Sequence, residues 1–169
     1  SPDYPLVGTF DFILFSHSLY WLPEPIRCLE NALARLSPEG VLLAFLQAPM
    51  GIHDLFRLFD PLIERHGPSG PNHGYSSHEL VVGLREAGHH PHCEFVDSGF
   101  DLTGVFDGGR EADTALNEML SFALQLEFSE LEEPLRSDVI DYMRAVCVEL
   151  DGRLFWREPT AAVLLEGSA

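Results

Sequence analysis

The sequence predicts a mixed α/β fold, and three observations carry the prediction. Two short, almost wholly apolar runs, Phe10–Phe15 (FDFILF) and Val41–Leu46 (VLLAFL), have the length and composition of buried strands. Between them Ile26, Leu29, Leu33 and Leu36 recur at spacings of three and four, which is one face of a helix. Short connections join all three, so they form a βαβ unit with parallel strands and a right-handed crossover.

Each element has its own signal. Pro23 and Pro25 open the first helix, Pro25–Leu36, because proline is tolerated in a first helical turn. Ser37–Gly40 closes it. A second helix is expected from near Asp54, a good N-cap residue type, to about Glu64, with Leu55, Phe56, Phe59, Leu62 and Ile63 as its apolar stripe. The breaker-rich stretch Gly67–Gly74 reads as a loop. Ser76 and Glu79 have the spacing of a capping box, and Gly88 ends the helix they start. Cys93–Val96 is a third strand. Phe100–Gly109 reads as irregular. Two further helices are expected at about Ala112–Leu126 and Pro134–Leu150. Leu154–Trp156 and Thr160–Leu165 read as one closing strand interrupted at Pro159.

The length, 169 residues, suits a single domain spanning 1–169, and 46% hydrophobic content is enough for a core. The charge balance is lopsided. Twenty-seven acids face ten basic residues, all of them arginine, for a net charge of −17. That excludes nucleic acid as a partner, because phosphate-backbone binding is supplied by cationic side chains. It also speaks against an anionic membrane surface, and no apolar run reaches the ~18 residues of a membrane span. Solubility is the plain reading of the charge; attraction of cationic substrates is the sharper one. Cys28, Cys93 and Cys147 show neither CxxC spacing nor a disulfide framework, so they read as reduced, mostly buried thiols of a cytoplasmic protein.

The first strand carries a warning. FDFILF hardly alternates, so it reads as a central parallel strand buried on both faces. Yet nothing before it covers its second edge, and a bare apolar edge is a hazard. Either neighbouring strands precede it in the natural sequence, or another chain covers it. The easiest cover is the same strand of a second copy, giving a homodimer through the first strand.

In open α/β sheets, ligands bind beyond the carboxyl ends of the parallel strands. Ser16–Trp21 (SHSLYW) follows the first strand and Gln47–His53 (QAPMGIH) the second. The first of these puts two hydroxyls, an imidazole and two large aromatics into six residues. His17 stands at the strand's active end, while Tyr20 and Trp21 could equally be packing residues.

At these residues a resemblance becomes visible. The run FDFI, then SHSLYWLPEP, a leucine-periodic helix and LSPEGVLLAFLQ resembles strand 4, helix D and strand 5 of class I S-adenosylmethionine-dependent methyltransferases. The order HDLFRLF, HGYSSHELVVGLREAG, DLTGVFDGG, NEMLSFALQLEF and AAVLLEG is similar to histamine N-methyltransferase and its relatives over nearly the whole chain. The resemblance implies the C-terminal half of a Rossmann-like methyltransferase sheet. Two parallel strands would take antiparallel closing strands, with the final strand next to Val41–Leu46, in a three-layer arrangement with flanking helices.

Carried over position by position, Ser16 matches a residue at the cofactor. His17, Tyr20 and Trp21 match positions lining the substrate pocket, as do His53, Arg57, His73, Phe128 and Glu158. His17 replaces a glutamine of the family, and His53 and Arg57 replace tryptophans. An arginine repels a cationic amine, which speaks against histamine itself and leaves the specificity open. The family's glycine-rich loop and its ribose-binding acidic residue have no counterpart. Gly104, Gly108 and Gly109 do not replace them, because they do not belong to a βαβ unit.

The resemblance therefore implies part of a small-molecule methyltransferase, inactive alone, without tightly bound S-adenosylmethionine. In the complete enzyme a substrate nitrogen would displace the sulfonium methyl in line. The protein would supply positioning, aromatic walls at Tyr20 and Trp21, and His17 as acceptor of the departing proton. Two other readings compete: a non-catalytic interaction or assembly domain, and one chain of a split methyltransferase. The cluster His89, His90, His92 and Cys93 (HHPHC) lacks a second ligand group spaced like a zinc site, so no native metal is expected.

Overall fold

The computed structural model describes residues 7–66 and 74–167, except for the side chains of 60 and 62–66. These residues fall into two compact units. The first comprises Ser1–Pro49, Gly70–Val96 and Pro159–Ala169; the second comprises Met50–Ser69 and Asp97–Glu158.

The first unit is built on a four-stranded sheet of order β1-β2-β7-β3, with β1 Phe10–Ser16, β2 Leu36–Gln47, β3 His92–Val96 and β7 Thr160–Glu166. β1 and β2 are parallel, with Ile13 opposite Leu42 and Phe15 opposite Ala44. β7 adds antiparallel to β2, and β3 antiparallel to β7. This is the order expected, with the last strand beside the second. β2 begins five residues earlier than expected. Residues 37–40 form an irregularity in the ladder rather than a helix end, since Phe10 pairs with Leu36 but Phe12 with Val41. Helix α1 accordingly stops at Leu33 (Pro25–Leu33).

One face of this sheet is closed. Leu42, Ala44 and Leu46 of β2 and Ala161, Val163 and Leu165 of β7 pack with Leu29 and Ala32 of α1 and with Leu80 and Leu84 of α3 (Ser77–Glu86). The other face carries Val41, Leu43 and Phe45, which are half-buried, and Phe12 and Leu14, which are 56% and 49% exposed. Among the described residues no helix of this unit lies on it, so these residues form two layers. β1 is thus not the doubly buried strand that its composition suggested. Among the described residues it is the outermost strand of the sheet, with Phe12 and Leu14 open on one face.

The second unit pairs a three-stranded antiparallel sheet, order β4-β6-β5, with helices. Its members are β4 Gly99–Asp101, β5 Val148–Leu150, β6 Arg153–Arg157, α2 Ile52–His66, α4 Arg110–Leu124 and α5 Glu133–Val146. Here the sequence reading needs correction. Val148–Leu150 is not the end of a helix, Gly99–Asp101 is not irregular, and Leu154–Trp156 does not belong to the closing strand. The cause is the turn Asp151–Gly152, with φ of 51° and 73°, which folds β5 and β6 into a hairpin. β6 then pairs with β4. Leu55 and Phe56 of α2, Leu116, Leu120 and Leu124 of α4, and Val139 and Met143 of α5 join Trp156 of β6 in one core. Helix α2 breaks at Phe59 (φ −111°, ψ 19°), two residues before Pro61, which cannot donate to the helix ladder.

Candidate functional site

In the first unit the candidate residues lie where the two parallel strands end. Ser16 is the exposed last residue of β1. The chain then turns through left-handed backbone at His17 (φ 46°), whose N–H donates to the carbonyl of Phe45 at 2.9 Å. That bond ties the start of the connection to β2. Leu19 is fully buried and anchors a 3-10 turn, Leu19–Trp21. Around that anchor Tyr20 is half-buried and Trp21 is 50% exposed, the two rings meeting edge to face at 5.8 Å. At the neighbouring strand end Gln47 is buried, and its amide donates to the carbonyl of Tyr75 at 2.9 Å. The Tyr75 hydroxyl is buried without a hydrogen-bond partner, and burial pushes its pKa up to about 12.

The second unit gathers two more candidates at the start of α2. Glu158, just after β6, accepts the N–H of Ile52 on Oε2 at 2.5 Å. Burial is the main reason its pKa is pushed up to about 7, with nearby Asp54 adding to the shift and the Ile52 bond opposing it. Gly51 makes this seat possible. It is left-handed (φ 70°), and a Cβ there would lie 1.9 Å from Glu158 Oε2 and 2.8 Å from the Arg157 carbonyl oxygen. His53 is 8% exposed, and neither ring nitrogen has a hydrogen-bond partner; the nearest acid is Asp54, 3.8 Å from Nδ1.

The remaining candidates are placed differently. Arg57 is exposed on α2, one turn beyond His53. Phe128 is fully buried in the core of the second unit, with the Arg136 guanidinium 5.8 Å from its ring centre. His73 lies outside the described residues. Ser16, His17, Tyr20 and Trp21 form one group in the first unit, while His53 and Glu158 form one in the second. Sequence reasoning missed Gly51, Gln47 and Tyr75. Gly51 stands in the segment QAPMGIH, whose composition marks a strand-end loop but not the space this glycine leaves for Glu158.

The fit to S-adenosylmethionine can be tested on the connection that follows β1. Residues 17–24 contain no glycine, and the left-handed turn there is made by His17. Gly104, Gly108 and Gly109, all at positive φ, do sit between a strand and a helix, β4 and α4, but β4 pairs antiparallel with β6 and no βαβ unit results. Ser16 alone is not a cradle. Of the residues matched to the cofactor, the described ones supply Ser16 at the end of β1. Among the described residues no group of three or more metal-binding side chains converges; His92 instead contacts Glu94 at 2.9 Å. No helix among them is long and apolar enough to cross a membrane.

No protein-family model and no curated protein matches the sequence. Solved structures do match the fold. An inferred methyltransferase from Bacillus halodurans C-125 superposes over 99% of this chain and 69% of its own, with a TM-score of 0.56 at 15% identity. The YcgJ protein of Bacillus subtilis superposes over 98% of this chain and 68% of its own, with a TM-score of 0.50 at 9% identity. A cyclopropane-fatty-acyl-phospholipid synthase-like protein from Lactobacillus casei ATCC 334 matches over 93% of this chain and 56% of its own, with a TM-score of 0.48 at 14% identity. The chain thus shares a mixed α/β fold with the first two of these structures. It spans between about half and about two thirds of the length of these structures.

Proposed function

We propose that this chain is the substrate-side part of a small-molecule, S-adenosylmethionine-dependent methyltransferase that acts on nitrogen, and that it is inactive alone. The observation that carries the reading is the polar and aromatic segment Ser16–Trp21 at the carboxyl end of β1, in a sheet that follows a methyltransferase-like fold over 99% of the chain. The resemblance to histamine N-methyltransferase and its relatives supports the choice of nitrogen. The lack of a counterpart to the family's glycine-rich loop and ribose-binding acid supports the view that the main cofactor contacts come from residues outside this chain.

In this reading Tyr20 and Trp21 wall the reacting group, and their ring faces favour a cationic centre. His17 accepts the proton that nitrogen loses. Glu158 and His53, in the second unit, form a separate polar group able to bind an amine. The carboxyl has one oxygen engaged by Ile52 and one left to receive a donor, and the imidazole brings a second buried polar group. A protonated amine on Glu158 would favour its ionised form and pull its pKa down.

Two measurements test the reading. Calorimetric titration of the chain with S-adenosylhomocysteine is expected to show no tight site; micromolar binding would overturn the missing-cradle part. An NMR titration of the Glu158 carboxyl, with a midpoint near pH 7 in the free chain, is expected to move to lower pH in saturating small amines and to stay in place with the corresponding alcohols. A midpoint that no amine moves would overturn the substrate-side assignment.

A further inference from the structure

At the start of α2, within the second unit, two carboxylates stand near one another without a cation. Glu158 engages the Ile52 N–H with Oε2 and keeps its other oxygen for a further donor. After burial, the charge of Asp54 in the first turn of α2 raises the pKa of both Glu158 and the Tyr142 hydroxyl on α5, so Asp54 lies near each of them. Among the described residues neither acid pairs with an arginine.

Two neighbouring acids alone do not make a site. His53 supplies the independent sign. It is 8% exposed, and both of its ring nitrogens are buried without a hydrogen-bond partner. Buried polar groups in folded proteins are nearly always paired, so an orphaned imidazole points to a partner that arrives from outside. Its Nδ1 faces Asp54 Oδ1 at 3.8 Å, too far for a hydrogen bond. That spacing suits two acceptors that share one donor group. Both can lie about 2.9 Å from a single nitrogen placed between them, at an angle near about 80°. Each hydrogen bond then bends by only about 15° from a tetrahedral N–H direction. No group of three or more metal-binding side chains converges among the described residues, so hydrogen bonding rather than metal ligation is the recognition on offer.

We propose that Asp54, His53 and Glu158 together bind a primary ammonium group, one N–H to each, and that the site weakens with every methyl that replaces an N–H. The proposal rests on the amine reading of Glu158 and adds which amine is taken. His53 acts as acceptor through Nδ1, with the ring proton on Nε2. A methyl group in an N–H position returns one acceptor to its unpaired state, which is how a polar site rejects an analogue that lacks a donor. Both His53 nitrogens are shut off from water, and the neighbouring Asp54 side chain is 45% exposed. Rotation of Asp54 between staggered positions opens Nδ1 to the surface. Each methyl transferred to nitrogen removes one N–H, so this group favours the less methylated member of any substrate–product pair.

The test is a titration of the whole chain with methylammonium, dimethylammonium, trimethylammonium and tetramethylammonium chlorides at constant ionic strength. At pH 8, above the Glu158 pKa of about 7, the carboxyl is ionised and all four probes are cations. Carbon-13 NMR follows the Glu158 carboxyl and the His53 ring. Affinity is expected to fall in the order given, with methylammonium bound at least tenfold more tightly than tetramethylammonium, and the His53 ring signal is expected to move together with the carboxyl. His53→Leu removes one acceptor along with an orphaned polar group. Its far-UV circular dichroism is expected to be unchanged, and its preference for methylammonium over trimethylammonium to shrink at least threefold. Equal affinities, or an order that rises with methylation, would overturn the selection while leaving Glu158 an amine acceptor, since charge or the Phe59–Tyr142 ring pair would then suffice. A His53 ring that stays still while methylammonium moves the carboxyl would remove His53 from the site and overturn the three-residue proposal. A carboxyl that no amine moves would overturn the amine reading itself, and this proposal with it.

Discussion

Glu158 joins the physics of one residue to the chemistry proposed for the site. Its carboxyl has a pKa pushed up to about 7 from the ordinary 4.5, chiefly by burial. The folded chain therefore holds this proton over a pH range in which the unfolded chain has released it, and stability falls as pH rises through that range. The contribution is fully present below about pH 4.5 and lost once pH passes about 7. Glu158→Gln keeps an acceptor for the Ile52 N–H and removes the titration. Wild type and variant are expected to be similarly stable near pH 4.5, and the variant more stable by about 2–3 kcal/mol at pH 8. Denaturant unfolding at the two pH values measures the difference, and parallel pH profiles would contradict the seat assigned to Glu158. The sequence offered only a resemblance for this position. It could not show that Gly51, more than a hundred residues away, leaves the space in which the carboxyl sits.

At the scale of elements, what was legible followed from local signals. Helix α3 is the clearest case. Ser76 and Glu79 close a capping box, with the Ser76 N–H donating to Glu79 at 2.9 Å and the His78 N–H to Ser76 at 3.2 Å. Gly88, at φ 88°, ends it, and the next N–H, that of His89, returns to the Leu84 carbonyl at 2.9 Å. Ser76→Ala is expected to cost about 1 kcal/mol and to lower Tm by roughly 2–4 °C in a chain of this length; an unchanged Tm would show the cap to be idle. The parallel pair β1–β2 was legible for the same reason, since apolar runs and a helical stripe are local patterns, whereas the place of β7 followed from the family resemblance. The second sheet was not. Its strands β4 and β5 have three residues each, too short for periodicity to register, and β6 ends two residues before Pro159, which masked the switch from one sheet to the other. The Asp-Gly turn at residues 151–152 was the available signal, and it outweighs the helical pattern that precedes it. Exposure of β1 was not legible either. Composition told that the strand wants cover on both faces, but not that Phe12 and Leu14 stand open on one of them among the described residues.

For the molecule as a whole, charge attracts every cation alike, and salt separates that attraction from recognition. The chain carries −17, a field that gathers cations near its surface. Methylammonium and tetramethylammonium have the same charge, so the field favours both. What distinguishes them in the proposed site is contact: N–H bonds to Asp54, His53 and Glu158, made over distances far shorter than the screening length. The Debye length shortens from about 30 Å at 0.01 M to about 8 Å at 0.15 M. Between 10 and 300 mM sodium chloride both dissociation constants are therefore expected to rise, roughly three- to tenfold, while their ratio stays within about a factor of two. Titration of the Glu158 and His53 signals across that salt series measures both quantities. A ratio that collapses toward one as salt is added would mean that the preference came from the field, acting more strongly on the smaller ion, and not from the count of N–H bonds. A ratio that holds while both affinities fall would assign the attraction to the whole molecule and the selection to three side chains, with the net charge acting only to concentrate the cations that the site then sorts.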